Sequence, residues 1–347
     1  MANRLVNSHN EWDPLEEIIV GTARGANIPA LETSLQSFFQ PSEKERADAW
    51  VGPVPTRVIE ETEEDIEGFT SVLTQLGVTV RRPAAYDHGK SICTPYWSTS
   101  GLNSLMPRDC MIVIGNDIIE GATTCRCRTF EQWAFRDLLL DYFKNGEGRW
   151  TAVPKPTLLD SVFSESNGLS MIDESEPLFD AANMFRCGKD IFFNRSNTGN
   201  AMGVAWIRRH LGETYRVHEL PRLSDDHIGT TLIPLRPGKL LANPARVKVE
   251  KLPDMLRKWD IIWSPQLKPQ TYGLDWARSS NWIAMNVLSV DEKRVIVEAQ
   301  QSDLIGLLEK NGFEPIPVRY RHGRTFGGSF HCISLDVRRR GELQSYF

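Results

Sequence analysis

The residue best suited to covalent chemistry is a cysteine near the end of the chain. Cys332 follows the glycine pair Gly327-Gly328 and precedes a basic run at 338–340. A flexible backbone would expose the thiol, and nearby cations would favour its thiolate, which is the nucleophilic form. Free cysteines are also common as small buried hydrophobic residues. Position alone therefore leaves Cys332 open as either a nucleophile or a core residue.

Further polar residues recur at or just before the first strand of predicted hairpins. They are Asp109, Asp180, His227, Ser279 and Ser280, with Cys332 in the corresponding place near the end of the chain. A cysteine, a histidine and two carboxylates in one cavity would supply a nucleophile, an acid/base, an orienting group and a cation-binding group. Each residue also has an ordinary explanation, since Asp caps turns and His and Ser are common in loops. Their recurrence at matching positions favours a shared site.

The elements that would position these residues repeat along the chain. Hairpins are predicted at 109–120, 181–195, 231–243 and 282–298, each followed by a helix and a strand. The helices are predicted at 128–142, 199–210, 249–259 and 303–310, and the strands at 150–153, 215–220, 261–264 and 315–318. The spacing settles at roughly fifty residues, which is typical of a repeat architecture.

A fifth copy is divided between the two ends of the chain. Its helix and last strand are predicted at 58–76 and 78–82, and its hairpin would pair 330–337 with 16–21. We therefore predict an α/β propeller of five ββαβ modules, closed by pairing of the N- and C-terminal strands, in a single domain over 1–347. A doubly wound parallel sheet is disfavoured, because strands do not alternate singly with helices and no Gly-rich first turn is present.

Composition limits the class of protein. Of the 347 residues, 41% are hydrophobic and 24% charged, as in a globular protein with a sizeable core. The net charge of -5 disfavours a nucleic-acid partner. No signal peptide or 18-residue apolar run is found, which predicts a cytoplasmic protein without a membrane partner. The six cysteines follow no disulfide or zinc spacing, so we expect free thiols, no metal and no cofactor.

Contiguous blocks along nearly the whole chain resemble one enzyme family. The blocks are 10–17, 107–109, 179–183, 206–211, 243–244, 286–288 and 327–340. In them the chain is similar to the arginine-dependent amidinotransferases, which include glycine amidinotransferase and the inosamine-phosphate amidinotransferases. The resemblance implies a pentein-like five-module propeller, in agreement with the repeats.

The resemblance also implies roles for individual residues. Cys332 would be the nucleophile, His227 the acid/base and Asp180 its hydrogen-bonding partner. Asp109 would hold a guanidinium group, and Arg246, Ser279 and Ser280 would hold the amino-acid end of the donor. One position departs from the family, which usually has a second substrate-binding carboxylate two residues after the histidine. Here that position is Gly229, whose lack of a side chain would open space and remove a partner for a cation.

The activity implied is transfer of the amidino group of L-arginine, through an amidino-cysteine, to a primary amine. Gly229 favours an acceptor bulkier than glycine, as in the secondary-metabolite members of the family, including those of the saxitoxin pathway. Three alternatives stay open: a glycine amidinotransferase, a guanidine hydrolase of the arginine-deiminase type, and an arginine-binding protein without activity. By analogy with the family we expect a homodimer. The segment 31–50 is expected to be a loop near the mouth of the cavity.

Overall fold

Five three-stranded sheets of identical strand order make up the fold. The computed structural model describes residues 4–36, 50–166, 169–270, 272 and 279–347. In each of the five sheets two strands pair antiparallel, and the third strand lies parallel to the second. A helix precedes the third strand, so that the unit of hairpin, helix and strand, here called a module, is the one predicted from the sequence.

The first four modules follow one another along the chain. Their strands are Met111–Ile114, Asp117–Glu120 and Arg149–Ala152; Met184–Cys187, Asp190–Asn194 and Arg216–Leu220; Leu232–Arg236, Lys239–Ala242 and Asp260–Trp263; and Leu288–Ser289, Arg294–Glu298 and Glu314–Val318. Their helices are Arg136–Asn145, Ala201–Leu211, Asp254–Arg257 and Ser302–Lys310.

The fifth module joins the two ends of the chain. Leu15–Val20 pairs antiparallel with Ser334–Arg339 and parallel with Thr79–Arg81, and Thr56–Gln75 is its helix. The predicted pairing of the terminal strands is therefore confirmed. Each of the five sheets nevertheless stays open, and no sheet of the described residues closes on itself.

Hydrophobic clusters connect the modules in chain order. Residues of neighbouring modules share a cluster in five cases: Ile112 with Phe193, Phe192 with Leu240, Leu241 with Val297, Ile296 with Ile18, and Leu335 with Val113. The last of these pairs joins the fifth module to the first. The main hydrophobic core thus lies between modules, because each module alone has apolar faces that only a neighbour can cover.

Two predicted helices are shorter than expected. The stretch predicted as a helix from residue 128 forms 3₁₀ turns at Arg126–Arg128 and Glu131–Phe135 before the α-helix begins at Arg136. There the side chains of Arg128 and Glu131 turn inward and pair with each other at 2.9 Å. The prediction of a single helix over 249–259 was also wrong. Pro253 has no N–H group to continue a helix from Val249–Lys251 into Asp254–Arg257.

The polar residues identified from the sequence lie in, or directly before, short helical turns that precede the first strands. Four modules have such a turn before the first strand: Pro107–Cys110, Ala181–Asn183, Ile228–Thr230 and Asn281–Met285. Asp109 lies within the first turn, whereas Asp180, His227 and Ser280 immediately precede the other three. The repeated turn gives these side chains equivalent places in successive modules.

Shorter elements connect or flank the main strands and helices of the modules. They are the strands Asn27–Ile28, Gly52–Pro53, Ser91–Cys93, Ser98–Ser100, Phe163–Ser166 and Leu169–Ile172, the helices Thr33–Gln36 and Gly323–Phe326, and the 3₁₀ turns Asp160–Val162, Gly212–Thr214 and Val249–Lys251. No helix among the described ranges is long and apolar enough to cross a membrane.

Candidate active site

His227 lies between two carboxylates from different modules. Its Nε2 atom is 2.8 Å from Oδ2 of Asp180, and its Nδ1 atom is 3.6 Å from Oδ1 of Asp109. Burial lowers the pKa of His227, but the charge of Asp109 and the hydrogen bond to Asp180 outweigh it and raise the pKa to about 9. At neutral pH the imidazole is therefore a cation with a proton to give.

The two carboxylates are both buried but differ in their partners. Burial raises the pKa of Asp180, and the hydrogen bond and charge of His227 outweigh this, so the pKa is lowered and the group stays ionised. Asp109 accepts a hydrogen bond at Oδ2 from Nη1 of Arg128 at 3.0 Å. Its Oδ1 atom is buried and has no hydrogen bond of normal geometry within the described ranges. Asp109 thus has one buried acceptor atom that faces the His227 ring at 3.6 Å and could accept a hydrogen bond from a cationic ligand.

Arg128 joins Asp109 to a third acid. The Nε atom of Arg128 donates to Oε2 of Glu131 at 2.9 Å, and burial raises the pKa of Glu131 to about 7. Neither residue was predicted from the sequence, because both fall in a stretch whose periodicity predicted an ordinary amphipathic helix. Nothing in their local pattern indicates that they turn toward the site.

Cys332 is almost fully buried, with 4% of its surface exposed. Burial, followed by the charge of Asp109, raises the pKa of its thiol well above the usual range, although Arg108 acts in the opposite direction. The basic run does not contribute: Arg338 pairs with Glu16 at 3.1 Å, and Arg339 pairs with Asp336 at 2.5 Å. The prediction that this run favours the thiolate was wrong, and the thiol keeps its proton.

A cavity of about 140 Å³ opens beside Asp109 and His227. Its lining is Leu35, Leu102, Asn103, Met106, Asp109, Cys125, Arg128, Asp226, His227, Ser279, Phe326 and Gly327. Leu35 brings the beginning of the segment 31–50 to this cavity, and 37–49 lie outside the described residues. Cys332 lines a smaller cavity, of about 20 Å³, together with Gly229.

The residues expected to hold the amino-acid end of a donor are more dispersed. Ser279 lines the larger cavity, and its hydroxyl donates to the carbonyl of Arg324 at 3.2 Å. Ser280 is exposed and lies outside the described lining of this cavity, as does Arg246. The Arg246 Nη1 atom donates to the hydroxyls of Thr230 at 2.7 Å and Thr231 at 3.1 Å.

Gly229 does not leave the open space expected from the sequence. A Cβ atom added at this residue would lie 2.5 Å from Nδ2 of Asn286, which already donates to the Gly229 carbonyl at 3.1 Å. The room left by the missing side chain is therefore filled by Asn286. The lost carboxylate cannot by itself be taken as added room for a substrate.

A metal-binding site would require several ligating side chains close together. Within the described parts of the chain, no group of three or more His, Cys, Asp or Glu residues could hold a metal ion. Acid/base chemistry at His227 and nucleophilic chemistry at Cys332 are what the site residues can provide.

Curated relatives identify the family. No family model matches the chain. Inosamine-phosphate amidinotransferase 1 of Streptomyces glaucescens is 42% identical over 345 residues, which are 99% of this chain and 99% of that protein. The chain belongs to the amidinotransferase family. It is accordingly an enzyme, a transferase of amidino groups.

Solved structures of amidinotransferases have the same fold. Inosamine-phosphate amidinotransferase of Streptomyces griseus superimposes with a TM-score of 0.94 at 43% identity, over 99% of each chain. SxtG, an amidinotransferase of the saxitoxin biosynthetic pathway from Microseira wollei, gives 0.91 at 43% identity over 99% of this chain and 100% of its own. A dimethylarginine dimethylaminohydrolase from Pseudomonas aeruginosa, 14% identical with a TM-score of 0.60 over 93% and 99%, shows the fold alone. The predicted pentein-like α/β class is confirmed.

Proposed function

We propose that this amidinotransferase moves the amidino group of L-arginine to a primary amine through an amidino-cysteine at Cys332. The observation that carries the proposal is the buried position of Asp109, whose charge acts on both His227 and the Cys332 thiol. A guanidinium cation bound there would change the protonation of both groups at once. The roles of all these residues are part of the proposal.

In the donor half-reaction, the guanidinium of L-arginine binds at the available Oδ1 atom of Asp109. Its positive charge offsets the carboxylate that raises the pKa of the thiol, so the thiol can release its proton. A carbon–sulfur bond forms, and His227 gives its proton to the departing nitrogen as the carbon–nitrogen bond breaks. The thiol proton restores the imidazolium, so the net change is transfer of that proton to ornithine.

In the acceptor half-reaction, an amine takes the place of ornithine. As the amine nitrogen attacks the amidino carbon, the His227 imidazolium gives its proton to the cysteine sulfur and the carbon–sulfur bond breaks. His227 then accepts the proton that the amine nitrogen loses, which restores the imidazolium, the thiol and so the starting enzyme. Asp180 holds the imidazole through the 2.8 Å contact and stabilises its cation throughout.

The amino-acid end of the donor would be held by Arg246, Ser279 and Ser280. Ser279 is at the cavity, and Arg246 is fixed by two threonine hydroxyls on the segment that follows His227. A cation and hydroxyls suit an α-carboxylate. Substitution of Arg246 by Met should raise the KM for L-arginine more than it lowers kcat.

We propose a bulky primary amine of secondary metabolism as the acceptor. The support comes from the relatives, whose names refer to inosamine phosphates and to saxitoxin biosynthesis. Turnover should be compared with glycine, L-lysine and bulky primary amines at matched concentrations. A clear preference for glycine would contradict this choice and favour a glycine amidinotransferase.

The central experiment is intact mass spectrometry of the protein mixed with L-arginine and no acceptor. One added amidino group with release of ornithine is expected, and Cys332→Ala should prevent both. Cys93→Ala is the matched control, because Cys93 is exposed and outside the site. Citrulline without an adduct would indicate the hydrolase, and binding without any product would indicate an arginine-binding protein.

We further propose that the five modules are the blades of one propeller in a single domain over 1–347. The clusters that connect each module to the next, and the fifth to the first, support this arrangement. A cytoplasmic location is supported by the free state of all six cysteines, of which Cys125 and Cys127 share a 3.2 Å hydrogen bond and no disulfide. The homodimer stays a prediction, which light scattering after gel filtration would test.

A further inference from the structure

Asn286 connects the segment that carries the proposed nucleophile to the segment that carries the proposed acid/base. Its side chain is fully buried, just after the turn Asn281–Met285. The Oδ1 atom accepts a hydrogen bond from the Cys332 N–H at 3.0 Å, and Nδ2 donates to the Gly229 carbonyl at 3.1 Å. The Asn286 carbonyl also accepts from the N–H of His331 at 3.4 Å.

A side chain added at residue 229 of this chain would displace the Asn286 amide or the backbone around it. A Cβ atom there would be 2.5 Å from Nδ2 of Asn286, a separation that real Cβ atoms essentially never show. Either the amide or the segment after His227 would have to move. The requirement is steric, because Gly229 is not among the residues with positive φ.

We propose that Asn286 is a positioning residue for the transfer reaction, and that a side chain added at residue 229 of this chain would disturb its position. The inference rests on the proposed roles of Cys332 and His227. The amide fixes the backbone of Cys332 against the segment that begins at His227, and so sets the thiol relative to the imidazole. Geometry of this kind matters because a misplacement of about 1 Å can lower a rate by about a hundredfold.

The test is a double-mutant cycle of Asn286→Ala and Gly229→Ala. The rate of amidino-cysteine formation at saturating L-arginine is measured by rapid quench and intact mass. Asn286→Ala should lower it by about a hundredfold, while the KM for L-arginine changes less than about threefold. Gly229→Ala should have a similar effect on its own and almost none in the Asn286→Ala background, since the clashing amide is then absent.

A buried asparagine with a purely structural role provides the control. Asn200 is also buried, and it caps the helix Ala201–Leu211 through a 2.8 Å hydrogen bond from the Gly203 N–H. Asn200→Ala should lower the melting temperature and leave the rate of adduct formation unchanged. Should Asn286→Ala not fold, Asn286→Asp keeps the shape and the acceptor for the Cys332 N–H. It should lose rate because it no longer donates to Gly229.

The outcomes separate this inference from the proposed function. An unchanged adduct rate in Asn286→Ala, or effects of the two substitutions that simply add, would overturn the positioning role while Cys332 remains the nucleophile. Absence of an adduct in the unsubstituted enzyme would overturn the proposed function. In that case the role of Asn286 is tested by the rate of Cys332 alkylation by iodoacetamide, measured as a function of pH. Identical pH profiles for the unsubstituted enzyme and Asn286→Ala would overturn the positioning role.

Discussion

At the level of single residues, one carboxylate favours the protonated forms of two neighbouring groups. The charge of Asp109 raises the pKa of His227 and also raises the pKa of the Cys332 thiol. Without a bound cation, the imidazole is therefore charged and the thiol is neutral. In the mechanism that we propose, the neutral thiol would resist adventitious reaction until a guanidinium group offsets the carboxylate.

Substitution of Asp109 by Asn should separate two properties of Cys332. Without the carboxylate the thiol pKa falls, so alkylation by iodoacetamide at pH 8 should become several-fold faster. Formation of the arginine adduct should instead fall by at least about a hundredfold, since the guanidinium loses its partner. Peptide mass spectrometry assigns the alkylated cysteine, with Cys332→Ala as the blank. Slower alkylation would contradict the electrostatic role given to Asp109.

A second prediction at this scale concerns the pKa of His227 and its effect on stability. Its folded-state pKa of about 9 exceeds the ordinary value of 6.5, so its contribution to stability is complete below pH 6.5 and is lost as the pH rises through 9. The difference corresponds to roughly 3 kcal/mol. NMR titration of the imidazole should give a clearly lower pKa in Asp180→Asn. Urea unfolding of that variant should depend less on pH between 6.5 and 9, whereas an unchanged titration would refute the pairing.

At the level of elements, the hairpins turn through glycines that are not equally constrained. Gly188 and Gly238 have φ values of 65° and 77°, which favour glycine over residues with a side chain. A Cβ atom at Gly188 would lie 2.1 Å from the carbonyl oxygen of Gln344, whereas nothing lies within 4 Å at Gly238. The turn of the second module is therefore also a docking point for the C-terminal segment.

Alanine at each turn should show this difference. Gly238→Ala is expected to lower the free energy of unfolding by about 1 kcal/mol through backbone strain alone. Gly188→Ala should lower it by about 1–3 kcal/mol more, because the C-terminal segment must move. Urea unfolding of both variants at one pH measures the comparison. Equal losses would mean that the close approach of Gln344 to Gly188 does not affect the free energy of unfolding.

At the level of the whole molecule, a buried ionic cluster joins the second module to the N- and C-terminal segments. Arg186 is fully buried and contacts Glu11 and Asp336, each at 2.8 Å. Burial raises the pKa of both acids, but Arg186 outweighs it and their pKa values are lowered. Their contribution to stability is present above the ordinary carboxyl pKa and is lost as the pH falls below it.

Removal of the shared cation should be strongly destabilising. Arg186→Met removes the cation that the two buried carboxylates share, and leaves Arg339 beside Asp336 and His331 beside Glu11. It should lower the free energy of unfolding by about 3–5 kcal/mol at neutral pH. The loss should be smaller at pH 5, where the acids can take up protons. Arg195→Met is the control, because Arg195 forms exposed pairs with Glu174 and Glu219 and should change stability by less than about 1 kcal/mol. Similar losses from both substitutions would contradict the role of the cluster.

The sequence by itself determined the modules and predicted which residues form the site. Alternating apolar residues and turn glycines located the hairpins, because both signals act over a few neighbouring residues. The split fifth module was also predictable, since its missing strand had to come from the other end. The prediction of Cys332, His227, Asp180 and Asp109 as site residues came from the resemblance to a family and from their matching places in the repeats.

Only the tertiary structure decided what surrounds those residues. The bond from Arg128 to Asp109 and the filling of the space at Gly229 by Asn286 join side chains far apart in the sequence, where no local pattern connects them. The protonation of Cys332 was predicted wrongly for the same reason. A pKa is set by burial and by charges that are close in space, and the basic residues close to Cys332 in the chain are paired elsewhere.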